Sequence, residues 1–159
     1  MGKVKKLPNY TVLAALQLVR GQVKRRAVYN AMVQDIIYST GTSFVDTKNR
    51  KGEPIRAYLP HAKGGKTDTT ADKAVALEQL ERLPDVITMR AIDAALQCVG
   101  SDIADSTTRE AVRRAVELNC TDGRQWGYEH LYLPGISRRD FYRRRRNYLE
   151  DVAKRLHLG

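Results

Sequence analysis

The chain has 159 residues, 28 Lys and Arg against 18 Asp and Glu, a formal net charge of +10 at neutral pH, and an apolar fraction of 42%. That length suits one domain or a small domain with an extension, and that apolar fraction excludes a wholly disordered chain. No apolar run approaches the ~20 residues of a membrane span, and the basic start MGKVKKLPNYTV lacks the apolar stretch and cleavage site of a secretory signal. Cys98 and Cys120 form no CxxC, and His61, His130 and His157 are scattered, which argues against a disulfide framework and a zinc site. The expectation is a cytoplasmic protein with reduced thiols, no metal and no cofactor.

Charge is segregated along the chain. Residues 1–66 carry 13 basic and 3 acidic side chains, residues 67–135 carry 7 and 12, and residues 136–159 carry 8 and 3. Two cationic ends around an acidic middle point to a polyanion partner, with nucleic acid the default. A membrane surface fits less well, because the basic stretches lack a broad apolar face with aromatic anchors.

Residues 9–38 read as one long helix in a basic N-terminal segment, 1–38, with Asn9 as its cap and Val12, Leu13, Leu16, Val19, Val23, Ala27, Met32, Ile36 and Ile37 at helical spacing. Lys24, Arg25 and Arg26 cluster near its middle as candidate phosphate contacts. Gly21 weakens the helix by ~1 kcal/mol against Ala, and a continuous helix is favoured over a broken one. Residues 39–68 form a basic, turn-rich insert, in which Ser43–Thr47 and Pro54–Leu59 flank KNRKGE in a pattern suited to a β-hairpin; a loop without strands is the alternative. The run HAKGGKT lacks the full Walker spacing and a leading strand, so nucleotide binding is not expected there.

Residues 69–159 read as a helical domain. One helix starts at Asp68 or Thr69 and ends before Pro84. A second opens at Asp85 and stops at Gly100. A third opens at Asp105 or Ser106 and carries Ala111, Val112, Ala115, Val116 and Leu118. Gln125–Tyr132 reads as a short aromatic helix broken by Pro134–Gly135. Ser137 then caps an uninterrupted helical pattern running to Leu156. A short helix, a tight Gly turn and a long basic helix fit a helix-turn-helix over 125–156. The fold class expected is therefore mostly α: a long N-terminal helix, the insert, and a helical bundle ending in a helix-turn-helix.

The last helix divides by periodicity. Phe141, Tyr148, Leu149, Val152 and Leu156 make its inner face, while Ser137, Arg138, Arg139, Tyr142, Arg143, Arg144 and Arg146 are candidate DNA contacts around its N-terminal half. Arginine can grip guanine O6 and N7 with two donors, and other arginines can hold phosphates. The run 143–146 wraps more than one turn, so its four arginines cannot share one groove. Arg144 and Arg145 are expected to flank the backbone or pair with acids on preceding helices. A solvated basic helix, or a site for RNA or an acidic protein, is the competing reading.

The stretch LYLPGISRRDFYRRRRNYLEDVAKRLHLG resembles the end of phage late-transcription regulators of the ArpU and RinA type. The matching residues are Ser137, Arg138, Arg139, Phe141, Tyr142, Arg143, Tyr148, Leu149, Ala153 and Leu156. The run GGKTDTTADKAVALEQL is similar to that family's Gly-rich loop and helix start, although Thr-Thr-Ala at 69–71 replaces a Pro-containing variant and the 39–66 insert is longer. The resemblance implies a unit like the fourth region of sigma factors. It further implies sequence-specific duplex DNA binding in the host cell and activation of late genes through contact with host RNA polymerase. The alternative is a DNA-packaging subunit like a small terminase, whose helix-turn-helix is usually N-terminal. An enzyme is not expected, since no nucleophile–base pair or carboxylate cluster stands out. Apolar residues on the middle helices serve either the internal core or a homo-oligomer interface.

Overall fold

Six α-helices make up most of the described chain: α1 (Asn9–Arg20), α2 (Gln22–Tyr38), α3 (Thr69–Glu81), α4 (Pro84–Cys98), α5 (Ser106–Thr121) and α6 (Arg138–Arg155). The computed structural model describes residues 5–38, 42–48, 51–60 and 69–159. Between α2 and α3, the backbone of β1 (Thr42–Lys48) runs antiparallel to β2 (Pro54–Pro60), with Val45 opposite Ala57. The run HAKGGKT and Asp68 lie outside the described residues. Among the described residues, no helix is long and apolar enough to cross a membrane.

The N-terminal helix is not continuous. It is interrupted at Gly21, whose N–H closes a short turn onto the Leu18 carbonyl at 3.2 Å. Glycine has little helix propensity to resist the break, and the next residue fixes it. Gln22 is 3% exposed, and its amide donates to the Met89 carbonyl at 2.9 Å and to Asp93 Oδ1 at 3.0 Å. The expected cap also differs. Pro8 occupies the N-cap of α1, Asn9 is the first helical residue, and its side chain faces a distant arginine instead.

The described chain divides into two compact units, one made of residues 1–24 and 88–159, the other of residues 25–87. In the first, α1 contributes Ala15, Leu16 and Val19 to the core, α4 contributes Ile92, Ala95 and Leu96, and Val99 follows just after α4. Helix α5 adds Val112, Ala115, Val116 and Cys120, and α6 adds Phe141, Tyr148, Leu149, Val152 and Ala153. In the second, Ile36, Ala76, Leu80 and Val86 are buried. There the Tyr29 hydroxyl meets Glu81 at 2.5 Å and Lys73 Nζ reaches the Ile37 carbonyl at 2.7 Å.

Helix α5 begins where its sequence places it, because Asp105 accepts from the Thr108 N–H at 2.8 Å and satisfies a first-turn amide. The segment after α5 departs from expectation. Residues 125–132 do not form a helix; they hold a single 3-10 turn, Tyr128–His130. Side chains pin this segment in an irregular path. Asp122 Oδ1 accepts from the Arg124 and Gln125 amides at 3.0 and 3.2 Å, and Asn119 Nδ2 donates to the Trp126 carbonyl at 2.8 Å. Leu131 and Leu133 then enter the core. Pro134 and Gly135, the latter at φ +82°, make the turn into α6, with Ile136 N–H on the Leu133 carbonyl. Residues 122–137 thus separate α5 from α6, far more than the 3–4-residue turn of a helix-turn-helix. Helix α6 is held by α1, α4 and α5 rather than by a short preceding helix.

Candidate nucleic-acid interface

The unit containing α6 holds most of the positive charge, 18 Lys and Arg against 10 Asp and Glu. Helix α6 alone carries eight basic and three acidic residues. Its start is fixed by Ser137, whose Oγ accepts from the Asp140 N–H at 3.1 Å. Asp140 in the first turn also suits the positive end of the helix dipole. One side of α6 is sealed: Phe141, Leu149 and Val152 are fully buried. Tyr128 and Tyr142 flank the Phe141 ring at centroid distances of 5.8 and 5.2 Å. The opposite side is therefore a fixed platform.

The arginines of that helix do different work. Arg138 is exposed, donates to Glu129 Oε1, and lies 5.8 Å over the Tyr142 ring. Arg139 is exposed and makes no polar contact among the described residues. Arg143 is 65% exposed and rests against Asp140, with Nε 3.1 Å from Oδ1. Arg144 is only 12% exposed. Its Nε meets Asp140 Oδ2 at 2.9 Å, and its two terminal nitrogens grip both oxygens of Asp102 at 2.6 and 2.8 Å. Arg146 binds Glu150 at 2.9 Å, Asn9 Oδ1 at 3.1 Å and the Leu7 carbonyl at 3.0 Å. Arg145 lies beside Cys120, whose thiol burial pushes up to about 11 against the pull of the guanidinium. Arg144 and Arg146, named as candidate contacts, thus have their donors engaged by the fold, whereas Ser137, Arg138, Arg139, Tyr142 and Arg143 stand together at the exposed start of the helix.

The N-terminal trio is divided. Lys24 is exposed in the same unit as α6. Arg25 and Arg26 belong to the other unit, where the Arg25 side chain is 17% exposed and sits 3.9 Å from Asp85.

Sequence reasoning allowed Arg144 a pairing with acids on preceding helices but named none of the carboxylates; Asp102 lies in the loop after α4 and Asp140 on α6 itself. Glu150 and Asp140 could have been found from their i,i+4 and i,i+3 spacing to Arg146, Arg144 and Arg143. Asp102, 42 residues from Arg144, carries no local signal. The Arg144 guanidinium, through its hydrogen bonds, holds Asp102 down to about 2 from an ordinary 3.8. Asp140 is held low by Arg144 and then Arg143. A carboxylate whose folded pKa is depressed adds stability above its unfolded pKa and loses it as pH falls through the folded value. Asp102→Asn is therefore expected to flatten the loss of stability between about pH 4 and pH 2. Acid titration followed by Trp126 fluorescence checks this; an unchanged profile would mean the pair does not persist in solution.

No family model matches this chain, and no curated protein or solved structure matches it significantly. The site must be judged on its own geometry.

Proposed function

We propose that the chain is a sequence-specific duplex DNA-binding regulator of phage late transcription, reading its site with the exposed start of α6 and contacting host RNA polymerase. The observation that carries the DNA reading is the juxtaposition of Arg138, Arg139, Tyr142 and Arg143 on a helix whose reverse side is buried against three others. A helix so anchored keeps its donors in register, as reading base edges requires. The net positive charge of the same unit supports it, because phosphate attraction supplies much of any DNA affinity. The regulatory role rests on the resemblance of residues 131–159 to the ArpU and RinA type.

Selection of bound sites from random duplex DNA at physiological salt tests this reading. Enrichment of one motif is the expected result, and a repeat within the motif would report the assembly. Binding without enrichment that vanishes as salt rises would overturn it. A ring-like oligomer that binds without activating transcription would favour the packaging alternative. On random duplex, Arg139→Ala is expected to lower the slope of log K against log salt by about 0.9. An unchanged slope would remove Arg139 from the interface.

A further inference from the structure

The first turns of α6 contain a chain of guanidinium–carboxylate contacts that ties the loop after α4 to the exposed face of the helix. Asp102, in the loop after α4, accepts from both terminal nitrogens of Arg144 at 2.6 and 2.8 Å. Arg144 Nε donates to Asp140 Oδ2 at 2.9 Å. The other oxygen of Asp140 accepts from Nε and Nη2 of Arg143. Asp140 is 23% exposed and Arg144 12%, while Arg143 at the end of the chain is 65% exposed. Asp102 at the other end is equally exposed, so the enclosed middle, Arg144 and Asp140, is what holds the near edge of Arg143.

The edge that Asp140 occupies decides what Arg143 can do. Its side-on edge, Nε and Nη2, is taken. The end-on edge remains, with one N–H each from Nη1 and Nη2, and among the described residues nothing accepts from Nη1. Arg144 shows the same end-on fork filled, by the two oxygens of Asp102. Guanine presents two acceptors, O6 and N7, in the major groove, and an arginine fork meets them with two donors. A side chain already held by a carboxylate loses less freedom on binding. The nearby negative charge of Asp140 also disfavours a phosphate at the same point.

Resting on the DNA reading above, we propose that Arg143 is the guanine-reading residue of this protein, and that Asp140, Arg144 and Asp102 are positioning residues that aim its end-on edge into the major groove. Arg138 and Arg139 then serve the backbone on either side of it. Asp140 has a second effect: it reduces the attraction of the face for duplex DNA of arbitrary sequence.

The test repeats selection from a random-sequence duplex library with wild type, Arg143→Ala, Arg143→Lys and Asp140→Asn, each first checked for unchanged thermal unfolding. Wild type is expected to enrich a motif containing an invariant guanine. Arg143→Ala should lose preference at that one position and weaken the selected site about ten- to a hundredfold, with little change on random duplex. Arg143→Lys keeps the charge without the fork, so random-duplex binding should persist while the guanine preference is lost. Asp140→Asn should bind random duplex as well or better, yet discriminate less at the same position, an effect that a merely structural role would not confine to one base pair. Equal losses for Arg143→Ala on selected and random DNA would make it a phosphate contact and overturn the assignment. Full discrimination in Asp140→Asn would overturn the positioning role. Failure of the wild type to enrich any motif would instead bring down the DNA reading itself, and this inference with it.

Discussion

Phe141→Ala is expected to destabilise the α6-bearing unit by about 3–5 kcal/mol, the range for truncating a large aromatic side chain in a packed core. Phe141 is fully buried, and it faces the aromatic segment before α6 on one side and the core on the other. Its removal leaves a cavity that Tyr128 cannot fill, because the Tyr128 hydroxyl is already committed to the Ile136 carbonyl. The protein has one tryptophan, Trp126, packed against this core, so urea unfolding followed by its fluorescence reports on this unit alone. Tyr142→Ala, next in sequence but 36% exposed, should cost about 1 kcal/mol or less. Equal costs for the two would mean that the buried and exposed sides of α6 are assigned wrongly.

The second large effect separates two arginines that look alike in the sequence. Arg146→Ala is expected to cost about 2–3 kcal/mol, because it strands a buried carboxylate and a backbone acceptor. Glu150, its partner, is 9% exposed, and Leu7 and Asn9 lose their link to α6. Arg143→Ala removes a solvent-facing pair and should cost under about 0.5 kcal/mol. Glu150→Gln placed in the Arg146→Ala background should recover part of the loss, since no charge is then left unpaired. A double-mutant cycle with no coupling between 146 and 150 would show that the buried pair is not formed in solution.

The difference between these arginines sets the limit of what the sequence disclosed. Two of the caps were legible: Asp105 and Ser137 stand one residue before α5 and α6 and accept from their first-turn amides, whereas the Asn9 oxygen is taken by Arg146 and Pro8 caps α1 instead. The inner face of α6 was legible from its period. The break at Gly21 was visible as a weak point, but what made it a break was Gln22 reaching α4 across 67 residues. Residues 125–132 misled because their aromatic residues suit a helix, whereas Asp122 and Asn119 hold the backbone elsewhere. In RRRR, helical geometry showed that the four could not face one way. Which of them the fold consumed depended on Asp102 and Leu7, both far along the chain.

That dependence has a consequence for biosynthesis. Helix α1 emerges from the ribosome early, yet the Ala15, Leu16 and Val19 stripe packs into a core completed by residues 141–153. At about 5–20 residues per second, the interval between the two is roughly 6–30 seconds. During that time α4 and α5 appear and offer α1 part of its core, but the α6 side of the stripe has no cover. A pause or truncation late in translation would leave that side of α1 exposed.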